Sequence, residues 1–239
     1  MIHAFLRYDL RTTDPDAARA FYAEAIGLDI PDGMASASSA LAAWVLHEQA
    51  RARGAPPHWL GHVGVDDVEA AAARIVDHGG ARLGPTIEAR DGAAYATLRD
   101  PWGAVLSVRA RAPQPAVSPV AWHHLHTTDV DRAWPAYAAL FGWTRVDAVD
   151  AADPPEGARL FAWDGAGTAS GSMANTARAA GVHVHWLYYF PVADLDAALA
   201  KVTARGGRPG AAAVLPNGDR IAPCEDPQGA AFGVHEEAR

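Results

Sequence analysis

The chain repeats itself at two scales, and a repeat of this size restricts the available folds more than any other feature of the sequence. GPTIEARDGAAYATLRDPWG from Gly84 aligns with GAAAVLPNGDRIAPCEDPQG from Gly210, and in both the Asp of Asp-Pro-x-Gly stands sixteen positions after the first Gly. Upstream, HWLGHVGVDDVEAAAARIVDHGG from His58 matches HWLYYFPVADLDAALAKVTARGG from His185. Earlier still, RYDLRTTDPDAARAFYAEAIGLDI from Arg7 matches WHHLHTTDVDRAWPAYAALFGWTR from Trp122. The offset is 115 for this first element and about 127 for the later ones, so the second copy carries about twelve extra residues between Trp143 and His183.

Each half divides again. Alternation about Arg7 predicts a strand with Leu6, Tyr8 and Leu10 on one face and Phe5, Arg7 and Asp9 on the other. Thr13 or Asp14 caps a helix that Gly27 stops, and β-type residues follow over Leu41–His47. A second strand spans His58–Val65, and a helix capped by Asp66 or Asp67 runs to about His78. Strands then follow around Arg82–Ala89, Ala94–Arg99 and Ala104–Arg109. The unit is βαβββ, used four times. The fold class is α+β, with domains over 1–112 and 120–239 joined by a Pro-rich linker at 113–119.

Half of the 239 residues are hydrophobic, the net charge is −8, and the basic residues are scattered. Nucleic acid and membrane are thereby excluded as main partners, which leaves a small-molecule ligand, with a homodimer the one protein partner considered. The single Cys224 cannot form an internal disulfide, and no stretch has signal-peptide or membrane-spanning character, so a cytoplasmic location is expected. Cys224 has no basic neighbour in sequence and reads as structural. Gly165-Ala166-Gly167 reads as a hairpin turn.

Four βαβββ units with Thr-Thr-Asp after a first strand and Asp-Pro-x-Gly before a last one resemble the vicinal oxygen chelate superfamily. That superfamily includes glyoxalases, bleomycin-resistance proteins and extradiol dioxygenases, and the similarity covers nearly the whole chain. The resemblance implies paired modules whose sheets curl into open, cup-shaped half-barrels with the site on the concave side. It also implies a divalent metal (Zn, Ni, Fe or Mn) acting as a Lewis acid. Counting from the matching landmarks puts the family's ligand positions at Arg7, Leu60 and Ser107 in the first half and Trp122, Leu187 and Gly233 in the second. None is a usual metal ligand, so no metal is expected at these positions.

The histidines supply the competing reading. His124-Leu125-His126 and His183-Val184-His185 place imidazole pairs on one side of a strand. His124, His126 and His185 are candidate catalytic groups or relocated metal ligands; equally, they are polar groups on a concave face. His123 should point to the helix layer. Trp122, His183 and Tyr189 are candidate ligand contacts in the second cup. The first cup offers Arg7, Asp9, His47, His58, His62, Ser107 and Arg109, with Arg7 either paired to Asp9 or receiving an anion. The functions consistent with this are a module binding a small oxygenated or aromatic molecule, and a lyase, isomerase or dioxygenase. The second cup is the expected working one.

Overall fold

The computed structural model describes residues 3–33, 39–111, 118–147, 157–163, 167–215 and 217–238. The 164–166 turn and most of the 113–119 linker lie outside these. The first half runs β1 (Phe5–Thr12), α1 (Pro15–Ile26), β2 (Leu41–Val45), α2 (Glu48–Ala52), β3 (His58–Val65), α3 (Val68–Asp77), β4 (Ala81–Arg82), β5 (Ile87–Glu88), β6 (Ala94–Arg99) and β7 (Val105–Ala110). The second half runs β8 (Trp122–His126), α4 (Val130–Phe141), β9 (Thr144–Val146), β10 (Arg159–Ala162) and β11 (Gly171–Ala174). It continues through a single 3-10 turn (Asn175–Arg178) to β12 (His185–Pro191), α5 (Leu195–Ala204), β13 (Arg208–Pro209), β14 (Ala213–Val214), β15 (Arg220–Glu225) and β16 (Ala231–Glu236).

The helix starts follow from local chemistry. Asp14, Asp67, Asp129 and Asp194 each accept a hydrogen bond from the backbone N–H three residues on, satisfying a first-turn donor. Gly27 and Gly142 close α1 and α4 in the left-handed conformation, with φ of 69° and 72°. Two expectations are corrected. The strand around Arg82–Ala89 is two short pieces, β4 and β5, because Pro85 interrupts it. The β-type run reaching His47 stops at Val45; Glu48–Ala52 is made of good helix formers, and His47 Nδ1 caps it by accepting from Gln49 N at 3.2 Å.

The strands of the first half form one sheet, ordered β2-β1-β3-β7-β6-β4, with β5 on β6. Those of the second half form another, ordered β13-β15-β16-β12-β8-β11-β10-β9, with β14 on β15. Neither closes into a barrel. Among the described residues, no helix is long and apolar enough to cross a membrane.

Two compact units divide the chain, and each draws on both sequence halves. One comprises Met1–Arg7, Gly61–Pro115 and His123–Trp186; the other comprises Tyr8–Leu60, Ala116–Trp122 and Leu187–Arg239. Each is held by the same buried polar chain. In the first, Trp186 Nε1 donates to the Tyr137 hydroxyl (3.2 Å), which donates to Asp100 Oδ2 (2.9 Å). Asp100 Oδ1 accepts the backbone N–H groups of Trp102, Gly103 and Ala104. In the second, Trp59 Nε1 donates to Tyr22 (2.9 Å) and Tyr22 to Asp226 Oδ2 (3.2 Å), while Asp226 Oδ1 accepts from Gln228 N and Ala230 N. Burial raises the Tyr22 hydroxyl and the carboxyls of Asp100 and Asp226 above their ordinary ranges. Trp59 and Trp186 thus lie on the helix-packed face, as the strand alternation predicts.

Tyr22→Phe or Tyr137→Phe strands a buried indole N–H and removes a donor from a buried carboxylate. Each should cost about 2–4 kcal/mol in urea unfolding; a loss within error would show that the chain does not hold its unit.

Candidate functional site

Strand β8 alternates, so His124 and His126 share one face while His123 and Leu125, 1% and 0% exposed, share the other. His123 Nδ1 meets the Ser170 carbonyl at 3.0 Å, and its ring packs on Phe5 and Trp163, away from the polar face as expected. In the parallel β8–β11 pair His124 lies opposite Ser172, and His124 Nδ1 is 2.7 Å from Ser172 Oγ. His126 Nδ1 is 2.6 Å from Thr176 Oγ1, in the turn that follows β11. His185, at the start of β12, donates from Nδ1 to the His183 carbonyl at 2.8 Å. That carbonyl can only accept, so it fixes the His185 tautomer and makes Nε2 a proton acceptor.

The three rings touch. The centroids of His124 and His126 are 4.4 Å apart, and those of His126 and His185 are 4.6 Å apart with planes 19° from parallel. Burial lowers the pKa of His124 to about 4, and the charge of His185 adds to the effect. Burial also lowers His126, with His124 and His185 contributing, and lowers His185. The cluster is therefore a set of neutral imidazoles at neutral pH, each anchored through Nδ1 and presenting Nε2. It can accept protons or hydrogen bonds. Among the described residues, no group of three or more His, Cys, Asp or Glu side chains is placed to hold a metal ion.

Of the other expected residues, His183 is exposed and contributes its carbonyl. Arg7 and Ser107 lie in the same compact unit as the imidazole cluster, whereas Asp9, His58, Trp122 and Tyr189 belong to the other. Asp9 is held by Arg11 at 2.9 Å, and the Arg11 guanidinium sits 5.5 Å from the Trp44 ring centroid. His58 Nδ1 is 2.8 Å from the Pro56 carbonyl; its pKa is lowered by burial first and by Arg11 in addition. Ser107 Oγ is 2.9 Å from Thr97 Oγ1. Burial raises the Cys224 thiol to about 12, which leaves it inert. Sequence reasoning passed over Arg11, Asp91, Ser172 and Thr176. Arg11 was within reach as the i+2 neighbour of Asp9 on a strand; the other three meet their partners through pairing that no local spacing reveals.

The residues at the six positions that the resemblance implies do not offer a set of metal donors. Arg7 brings a cation, Leu60, Trp122 and Leu187 bring no donor, and Ser107 brings a neutral hydroxyl already engaged by Thr97. At Gly233 the space is taken. Tyr189 lies opposite it on β12, and a Cβ built on Gly233 would fall 2.2 Å from Tyr189 Cδ1.

The paired modules and open sheets define a class, and the comparisons agree with it. The family model "Glyoxalase/Bleomycin resistance protein/Dioxygenase superfamily" matches residues 3–108 and again 119–234, and the chain belongs to this superfamily. More particularly, it is 32% identical over 248 residues to CFP32 of Mycobacterium bovis and of Mycobacterium tuberculosis, which is provisionally named a glyoxylase, covering 96% of this chain and 93% of the relative. Solved structures of the same fold include the Mn(II)-bound glyoxalase of Novosphingobium aromaticivorans, with TM-score 0.62, 13% identity and coverage of 100% of this chain and 82% of that one. They also include the 2,3-dioxygenase LapB of Pseudomonas sp. KL28, with TM-score 0.63, 11% identity and coverage of 100% and 93%.

Two outcomes are expected. Because His124 is held neutral well below the unfolded value of about 6.5, the unfolded chain binds more protons between those values. The stability this group contributes is full above about pH 6.5 and declines as pH falls toward 4. His124→Gln should flatten the acid limb of Tm against pH, by on the order of 2 kcal/mol; an unchanged limb would mean that the ring is solvated. Gly233→Ala should destabilise by about 1–3 kcal/mol, and adding Tyr189→Ala should abolish that increment if the ring is what excludes a side chain there.

Proposed function

We propose that this protein binds a small oxygenated or aromatic molecule on the concave polar face of its second half, without a metal at the positions the superfamily uses. One observation carries the reading: Arg7, Leu60, Ser107, Trp122, Leu187 and Gly233 stand where metal donors would be needed, and the Tyr189 ring covers Gly233. Relatives named as a glyoxylase, a glyoxalase and a 2,3-dioxygenase support a small oxygenated ligand. His124, His126 and His185 are the polar groups offered to such a ligand, with Ser172 and Thr176 fixing two of the rings.

A second reading, an enzyme acting through these three imidazoles, is favoured by their proximity and by the anchored Nδ1 of His185. A neutral imidazole with one nitrogen oriented by a carbonyl is poised as a general base. In the metal-dependent form of this reading, a lyase, isomerase or dioxygenase, the three rings are instead relocated ligands.

Elemental analysis of untagged protein purified without chelator separates the readings, followed by thermal-shift screening with catechol and small aromatic acids. Metal far below one equivalent, with a catechol-type shift lost in His124→Ala and His185→Ala, is the expected result. A full equivalent of metal that disappears in His124→Ala would replace the first reading with the second.

A further inference from the structure

The first half carries a second polar cluster, built on β7 and closed by the turn between β5 and β6. Arg109 on β7 is 3% exposed and Arg7 on β1 is 6% exposed, so both guanidinium groups are buried. Arg109 Nη2 is bound by Asp91 Oδ2, and Asp91 stands in the Arg90–Gly92 turn. Burial pulls the Asp91 carboxyl up, but the Ala93 N–H, the Arg109 guanidinium and the nearby charge of Arg7 hold it below the usual carboxylate range. Strand register fills in the surroundings. Tyr95 lies opposite Arg109, Thr97 and His62 lie opposite Ser107, and the His62 ring meets the Tyr95 ring edge-on at 5.5 Å. Around the guanidinium there are thus two hydroxyls in contact with one another, an imidazole and a phenol.

The second half repeats the device with a different fastening. His235 on β16 holds Asp219, from the turn between β14 and β15, at 2.9 Å. The Asp219 carboxylate also accepts from Asn217 Nδ2 at 2.7 Å and Ala238 N at 2.8 Å, so both oxygens are tied down. In the first half Asp91, which aligns with Asn217 rather than with Asp219, is held by Arg109 and by Ala93 N at 3.1 Å, two residues away in its own turn, and its side chain is 22% exposed. Asp219 takes two groups from outside its turn, His235 and Ala238 N, whereas Asp91 takes one, the buried Arg109 guanidinium, and is the more exposed of the two carboxylates.

We propose that Arg109, supported by Arg7, is a binding site for a small molecule bearing a carboxylate, and that Asp91 is an internal carboxylate occupying it until the ligand displaces the Arg90–Gly92 turn. Exchanging one carboxylate for another leaves no buried guanidinium unpaired, so the costly intermediate is avoided. Arginine's planar fork accepts a carboxylate through two parallel bonds. Ser107 is two residues from Arg109 on the same face of β7, about 7 Å along the strand. That distance favours a carboxylate with an adjacent hydroxyl or keto oxygen, since Ser107, Thr97 and His62 can then bind the second oxygen. The site is built from residues of the first half, none of them shared with the imidazole cluster, and adds to the proposed function.

The test is calorimetric titration of the full chain with lactate, with acetate and inorganic phosphate as controls at matched ionic strength. Removing the competitor should make Asp91→Ala bind lactate about tenfold more tightly than the unmodified chain, acetate less tightly than lactate, and phosphate not at all. Arg109→Gln should abolish binding. If that variant does not fold, the neutral pair Arg109→Gln with Asp91→Asn removes both charges together and should also fail to bind. Lactate binding retained by the neutral pair, no gain in Asp91→Ala, or an equal gain with phosphate would overturn the proposal. None of these outcomes bears on the ligand site of the second half, whose test uses other residues and another probe.

Discussion

Everything in this protein depends on two buried chains of donor to hydroxyl to carboxylate. Trp186, Tyr137 and Asp100 form one; Trp59, Tyr22 and Asp226 form the other. In each, the tryptophan comes from a strand opening, the tyrosine from a helix, and the aspartate from an Asp-Pro-x-Gly turn. The carboxylate organises its own turn through backbone N–H groups while its other oxygen takes the tyrosine. A buried carboxylate is tolerable only when its lone pairs are engaged, and a buried indole N–H only when it finds an acceptor. The tyrosine hydroxyl meets both demands with one atom. Aromatic packing follows from the same placement, with the Tyr22 ring on Trp59 and Phe232, and the Tyr137 ring on Trp143 and Trp186.

This scaffold leaves the opposite faces of the strands free to diverge, and the two halves have done so. The first presents Arg7, Ser107 and Arg109 at positions where the second presents Trp122, Gly233 and His235. Each half ties a turn aspartate to its last strand from a different turn position, Asp91 to Arg109 in one and Asp219 to His235 in the other. At Gly233 the divergence is locked in by packing, because the Tyr189 ring occupies the volume a side chain would need.

Much of the polar face was legible in advance. Alternation along Trp122–His126 puts His124 and His126 together and sends His123 inward, and the structure has them so. What escaped were the partners. Ser172 and Thr176 reach the histidines from β11 and its turn, some fifty residues away, in the half that carries the insertion and so lacks a counterpart to align. Asp91 meets Arg109 only because β6 and β7 carry its turn back over the sheet. Asp9 also takes Arg11, its other neighbour two residues along the strand, which is held over Trp44.

The sequence by itself determined the modules, their order and the helix caps. All of these rest on local periodicity, on side chains reaching three or four residues, or on counting along a repeat. Only the tertiary structure decided that each compact unit mixes the two halves. Asp100 meets Tyr137 across 37 positions and Tyr22 meets Asp226 across 204. No local rule anticipates such contacts, because what brings those groups together is the need of a buried charge for a donor, wherever in the chain that donor lies.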